Sequence, residues 1–208
     1  SKPKKFKFNE ILINKYLNHR GPDSQKKFSH SGKINFLTKF YRLSIIDRSN
    51  KSDQPFKFKN LIISFNGEIY NYLEIKEYLK KKFNAKFKTS GDTEVLIQFL
   101  YYEGIKNIHK LEGMWSFILF NIASEKTIIC RDRFGEKNLY YFKDKKEIHF
   151  CSEIAALIKN LKLKEFNLDY ISKYLFCSYR YLFSKNQTLY KNIKFVEPGT
   201  YIIVDKNQ

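Results

Sequence analysis

Residues 114–122 (MWSFILFNI) form a nearly continuous apolar run. A run of that length, bounded by turn signals, reads as a strand buried on both faces and not as one alternating between core and water. Gly113 precedes it, Ala123–Lys126 forms a turn, and Thr127–Arg131 supplies a second strand. Asn138–Phe142 and Glu147–Cys151 make another pair around the polar Lys143–Lys146, and 200–204 (TYIIV) is a further strand after Pro198-Gly199. Earlier strand-like runs are Ile34–Phe40, Arg42–Ile46 and Leu61–Phe65. Helical periodicity covers Ile11, Leu12, Tyr16 and Leu17, stopped by Gly21-Pro22, and returns at 72–83, 93–102, 105–111, 153–161 and 168–177. Strands in blocks, flanked by helices, predict an α+β layered domain whose sheets are covered on both sides, not a doubly wound parallel sheet.

The chain of 208 residues is 43% hydrophobic and 17% aromatic, which excludes a disordered segment. No run approaches the roughly 20 apolar residues of a membrane helix, and Ser1–Glu10 (SKPKKFKFNE) has no signal-peptide character. The net charge of +18 raises nucleic-acid binding as a possibility. Only six of the 39 basic residues are Arg, however, and the lysines are scattered through every segment. Lys is a hydrated point charge suited to surfaces, so a lysine-coated surface is preferred over a nucleic-acid face. Lys80-Lys81-Lys82 reads as a solvated helix end. Cys130, Cys151 and Cys177 show no C-x-x-C spacing and behave as small hydrophobes, as expected of a chain in the reducing cytoplasm. The four histidines are dispersed, so no metal site is expected.

Phosphate-cradling glycine loops are also missing from the sequence. The chemistry-bearing residues gather in polar clusters: His19–Asp23 (HRGPD), Arg42–Asp47 (RLSIID), Asn66–Asn71 (NGEIYN), Ser90–Glu94 (SGDTE) and Arg131–Gly135 (RDRFG). Each has an ordinary explanation. Asn66-Gly67 is the strongest hairpin-turn dipeptide, and Asp92 suits a helix cap. Arg42, at the start of its predicted strand, could pair with any surface carboxylate. Arg131, Asp132 and Arg133 could form a structural ion-pair turn.

Their order carries more than any one of them. HRGPD, RLSIID, NGEIYN, SGDTEV, GMWSFILF, RDRFGEKNLYY and SEIAALI follow one another across residues 19–158. Together they resemble the glutaminase domain of class II glutamine amidotransferases, specifically that of glutamine-hydrolysing asparagine synthetases. VEPGTYIIV at 196–204 resembles the close of the same domain, so the likeness spans nearly the whole chain. It implies a four-layer αββα sandwich of two mostly antiparallel sheets, the N-terminal-nucleophile hydrolase type. It also implies a reaction, hydrolysis of the glutamine side-chain amide, with the ammonia passed to an ATP-using synthetase domain that amidates aspartate.

By the same resemblance, Arg42 would grip the glutamine α-carboxylate, as a guanidinium fork can, and Leu43, Ser44, Ile45 and Ile46 would line the pocket. Glu68 and Asp92 would hold the α-ammonium group. Asn66, through its side chain, and Gly67, through its backbone N–H, would form the oxyanion hole, where losing one donor typically costs about 10²–10³ in rate.

The family's nucleophile is an N-terminal Cys opening a short apolar strand, its own α-amine acting as base. Here Ser1 is followed by Lys2-Pro3-Lys4-Lys5, which cannot form a buried strand, and the three cysteines are internal. The expectation is therefore a glutaminase domain over 1–208 without its first strand or nucleophile, and inactive as it stands. A shortened sequence is the preferred account and a natural loss of the nucleophile the second. No cofactor is expected in this domain; ATP and magnesium belong to the synthetase domain, which the chain does not include. The expected partners are glutamine, that synthetase domain and a second copy in a homodimer, with neither nucleic acid nor membrane. The alternatives are an amidotransferase acting on a sugar or another carboxylate, and a non-catalytic glutamine-binding module. Smaller departures from the family are Asn138, where Pro is usual, and Lys39-Phe40-Tyr41 ahead of Arg42.

Overall fold

A computed structural model describes residues 8–177 and 186–205; Ser1–Lys5, read above as unable to form a buried strand, lie outside them. Helices are α1 (Glu10–Leu17), α2 (Tyr72–Phe83), α3 (Asp92–Tyr102), α4 (Ile154–Leu161) and α5 (Leu168–Cys177). Strands are β1 (Ser24–His30), β2 (Phe36–Arg42), β3 (Phe56–Phe58), β4 (Leu61–Ile69), β5 (Gly113–Asn121), β6 (Lys126–Arg131), β7 (Tyr140–Lys143), β8 (Ile148–Cys151), β9 (Ile193–Phe195) and β10 (Tyr201–Val204). They form a five-stranded sheet ordered β10-β6-β5-β4-β3, a three-stranded sheet β8-β7-β9 and the β1-β2 hairpin, antiparallel throughout.

Four apolar clusters show how these stack. Odd-numbered β4 residues (Leu61, Ile63, Phe65, Ile69) and Trp115, Phe117 and Leu119 of β5 pack under α2 and α3, where Leu79, Leu96, Ile97 and Phe99 are fully enclosed. The opposite face of the same sheet meets the remaining strands. Phe120 stacks on Phe36 at 4.3 Å, Thr38 Oγ1 lies 2.9 Å from Ser64 Oγ, and Ile129, Leu139 and Val196 form a small core between the sheets. Beyond them α4 covers the three-stranded sheet through Leu157, Ile158 and Ile193, while α1 packs on α4 through Ile13, Leu17 and Ala156. The result is the αββα layering expected, with both faces of the central sheet buried, which explains why β5 reads as continuously apolar.

Local signals set the helix ends. Asn9 caps α1 by accepting the Leu12 N–H at 3.1 Å. Left-handed Asn84 ends α2, and left-handed Lys162 ends α4. Lys80, Lys81 and Lys82 are exposed on the last turn of α2, as anticipated. Among the described residues no helix is long and apolar enough to cross a membrane.

Three expectations need correction. Arg42 closes β2 and does not open a strand, and 43–46 is a loop. The short, polar β1 and the three-residue β9 carry too little alternation to be found by period. Asn66-Gly67 is not a turn: β4 runs on to Ile69, in register with β5 to the Ile69–Gly113 pair.

Candidate functional site

The ladder alternation along β4 organises the site. Trp115, opposite Gly67, has its backbone committed to Asp132, whose N–H donates to the Trp115 carbonyl (2.8 Å) and whose Oδ2 accepts the Trp115 N–H (3.3 Å). In an antiparallel pair, residues that face one another without exchanging bonds turn their N–H and C=O groups outward on opposite sides. Gly67 therefore presents its backbone to the other edge of β4, the edge that β3 covers only as far as Ile63. Beyond β3, side chains replace the missing strand. Gln54 clamps Phe65, accepting its N–H at 2.6 Å and donating to its carbonyl at 3.0 Å. Two residues on from Gly67, Asp92 Oδ2 accepts the Ile69 N–H at 3.0 Å. The Gly67 N–H thus opens between a carboxamide and a carboxylate. Gly67 itself has φ +152°, and a Cβ there would sit 2.1 Å from the Met114 carbonyl oxygen. Only glycine fits this close approach.

Asp92 is the first residue of α3 and is buried. That burial, aided by the charge of Glu68, pushes its carboxyl up to about 6, against the pull of the N–H bonds it accepts. Asp92 is not the helix cap: Gly91 holds that position without a side-chain bond, and the Asp92 carboxylate bonds across to β4 instead.

Arg42 is buried at the end of β2. Its Nη1 donates to Asp53 Oδ1 and to the Ser49 carbonyl, each at 2.9 Å, and its Nη2 donates to the Asp47 carbonyl. Among the described residues three of its five N–H donors are used in these bonds, and its Nε–H and one Nη2–H form none. Asp53 also accepts from Ser24 Oγ and Lys26 Nζ, both at 2.9 Å. Asp47 Oδ2 accepts the Ser90 N–H (2.9 Å) and hydroxyl (3.0 Å), tying the Arg42 loop to the start of α3. Burial works to raise Asp47, but the bonds from Ser49 and Ser90 outweigh it and hold its carboxyl well below the usual range. Leu43, Ile45 and Ile46 are exposed on this loop, and Ser44 is pinned by its N–H to Asp23 Oδ2 at 2.7 Å.

The segments that carry Arg42, Asn66-Gly67 and Asp92 are therefore tied together by Asp47, Asp53 and Gln54, residues the sequence reading assigned no role. Asp47 ends the RLSIID motif and Gln54 precedes a proline, but nothing local in either shows what it bonds. A cavity of about 980 Å³ lies between the sheets, bordered by β2 and β8. Asn66 is the one predicted site residue that lines it, the other eight lying outside its wall.

The remaining motifs are scaffolding. Asp132 is fully buried and also accepts the N–H groups of Phe134, Glu136 and Lys137, each at 3.0 Å. Arg131 donates to the carbonyls of Lys137, Gly135 and Val196, so this turn is held by backbone-directed bonds. Glu94 accepts from Lys88, Thr89 and Gln98. Burial pushes the Cys130 thiol up to about 12 and that of Cys151 up to about 11. Among the described residues no group of three His, Cys, Asp or Glu side chains is placed to hold a metal ion.

Residues 2–208 match the model of the glutamine amidotransferase domain. The chain is 35% identical to glutamine-hydrolysing asparagine synthetase 1 of Bacillus subtilis, the alignment covering 92% of this chain and 29% of that protein. It is 37% identical to asparagine synthetase 2 of the same organism over 69% of this chain and 19% of that protein. The chain thus spans less than a third of the length of either. A solved structure, glutamine phosphoribosylpyrophosphate amidotransferase from B. subtilis, superposes with a TM-score of 0.67 at 18% identity, over 94% of this chain and 44% of that one. That likeness carries the layered fold alone. With the family model matched along almost its entire length, the chain belongs to the glutamine amidotransferase domain family, and within it is homologous to the glutaminase domains of asparagine synthetases.

Proposed function

We propose that this domain binds the glutamine zwitterion at the outer edge of β4 and serves hydrolysis of its side-chain amide to glutamate and ammonia. The remaining Nε–H and Nη2–H of the Arg42 guanidinium suit the α-carboxylate. Glu68 and Asp92 suit the α-ammonium, one cation and two anions matching one carboxylate and one ammonium. Leu43, Ser44, Ile45 and Ile46 would close over the bound amino acid. The Asn66 carboxamide and the Gly67 N–H would receive the negative charge that develops on the amide oxygen as its carbon becomes tetrahedral. Such donors act best when fixed in advance, and Gly67 is fixed by its close approach to Met114.

The observation that carries this reading is the run of N–H groups along the β4 edge, Phe65 and Ile69 each taken by a side chain and Gly67 left facing outward between them. The nucleophile of the reading is the Cys that opens a short strand in this family. We place such a strand in the 980 Å³ cavity, where β2 and β8 each turn one edge inward and Asn66 reaches the wall. The ammonia would pass to a synthetase domain that uses ATP and magnesium to amidate aspartate, the acceptor in keeping with the names of the B. subtilis relatives.

The test is a titration of the ¹⁵N-labelled chain with L-glutamine. Saturable shifts at Gly67, Glu68 and Asp92, lost in Arg42→Ala, are expected. Binding that is unaffected by Arg42→Ala, or no binding at millimolar glutamine, would overturn the assignment. Glutamate release on adding a Cys-led first strand then separates an enzyme from a glutamine-binding module.

A further inference from the structure

Gln54 lies outside every motif that carries the family likeness, yet it is almost fully buried, 6% exposed, and its carboxamide makes three hydrogen bonds. It accepts from Phe65 N–H at 2.6 Å, donates to the Phe65 carbonyl at 3.0 Å and approaches Thr93 Oγ1 at 3.4 Å. One side chain therefore imitates a strand neighbour for the residue just before Asn66 and touches the residue just after Asp92. Its chain neighbour Asp53 holds Arg42. No other residue described here bonds at once to the strand carrying Asn66-Gly67 and to the helix carrying Asp92 while sitting next to the anchor of Arg42.

We propose that Gln54 is a positioning residue that sets the Asn66-Gly67 donors against the amino-acid-binding groups, and so governs recognition of the side-chain amide. This rests on the glutaminase reading. The physical case is one of rigidity. Past Ile63, β4 has no strand partner on this side, so the Gln54 carboxamide alone takes up the Phe65 N–H and carbonyl that a strand would otherwise pair. A donor displaced by even 1 Å loses much of its interaction with a developing charge. Arg42, Glu68 and Asp92 recognise the α-amino-acid end and keep their own anchors, Asp47 for the loop and Ile69 for Asp92. Loss of the Gln54 clamp should therefore fall selectively on the amide end.

The experiment compares L-glutamine with L-norvaline, which has the same α-amino-acid end and no side-chain amide, by NMR titration of the 208-residue chain. Wild type is expected to prefer glutamine. Gln54→Met, close in volume but unable to clamp, is expected to weaken glutamine about two- to tenfold, the worth of one net hydrogen bond. Norvaline should be unchanged, and the Phe65 amide should exchange faster with solvent. Gln54→Glu keeps the acceptor for Phe65 N–H and loses the donor. It should fall between the two, and it decides the matter if Gln54→Met does not fold. A purely structural role would weaken both ligands equally. That result, or a wild-type preference retained in the variants, overturns the inference alone. A wild-type chain that holds both ligands alike overturns the glutaminase reading and the inference with it.

Discussion

Replacing Asp53 by Ala removes one carboxylate from beneath the candidate site and leaves Arg42 buried with its charge uncompensated. Asp53 is 8% exposed and accepts three charged or polar donors: Arg42 Nη1, Ser24 Oγ and Lys26 Nζ. Breaking a fully buried pair costs about 3–5 kcal/mol. Lys26 is more than half exposed, so its share is screened by water and small, which brings the expected loss to about 2–4 kcal/mol. For a domain of this size that corresponds to a fall in melting temperature of roughly 4–16 °C. Urea unfolding at pH 7 measures it directly. The pH dependence gives a second check. Burial acts to raise the Asp53 carboxyl, and the bonds from Lys26, Ser24 and Arg42 more than reverse it, so its native pKa lies below the ordinary 3.8. A lowered carboxylate stabilises above its unfolded pKa and loses that contribution as pH falls through the native value. The gap between wild type and Asp53→Ala should be full at neutral pH and should close below about pH 4. A loss under about 1 kcal/mol at pH 7, or a gap that does not shrink in acid, would show that the pair is solvent-screened and does not anchor Arg42.

Asp92, pushed up to about 6, has the opposite sign. Its charged form is disfavoured in the folded state, so its contribution to stability declines as pH rises from its ordinary range through about 6. An ammonium ligand favours the ionised form, so glutamine affinity should climb over the same window; a flat affinity between pH 5 and 7.5 would remove Asp92 from the ammonium site. Gly67→Ala should cost at least about 3 kcal/mol in urea unfolding, since a Cβ meets backbone on β5 and the φ is strained; a loss below about 1 kcal/mol would mean that β4 and β5 can separate freely there. In alkylation with iodoacetamide at pH 8 followed by mass spectrometry, exposed Cys177 should react while Cys130 resists, its thiol held protonated by burial. Comparable labelling of Cys130 in the folded chain would refute that packing.

What was legible from local pattern was whatever repeats along the chain. The period of Tyr72–Phe83 and the apolar run at Met114–Ile122 appear in the structure within a residue or two. The ordered motifs brought Arg42, Asn66, Gly67, Glu68 and Asp92 together as candidates before any coordinates. Where period is weak, the reading failed. β1 is a polar hairpin strand, and the loop at Leu43–Ile46 is apolar enough to pass for a strand. Asn66-Gly67 has the composition of a turn and lies inside a strand, because nine consecutive pairs with β5 hold it extended and Gly67 is needed for close approach, not for reversal of the chain.

The amino-acid order alone determined the layered α+β class, the membership of a family and the residue types available to bind a zwitterion, since each depends on spacing within short windows. Tertiary structure decided which backbone N–H groups of β4 are occupied and which face outward. It also decided that Asp47, Asp53 and Gln54 fasten the parts together, because those bonds join residues 11 to 43 positions apart. Hydrogen bonds between distant segments form only when the folded core brings them within about 3 Å, and no local pattern in a sequence encodes that meeting.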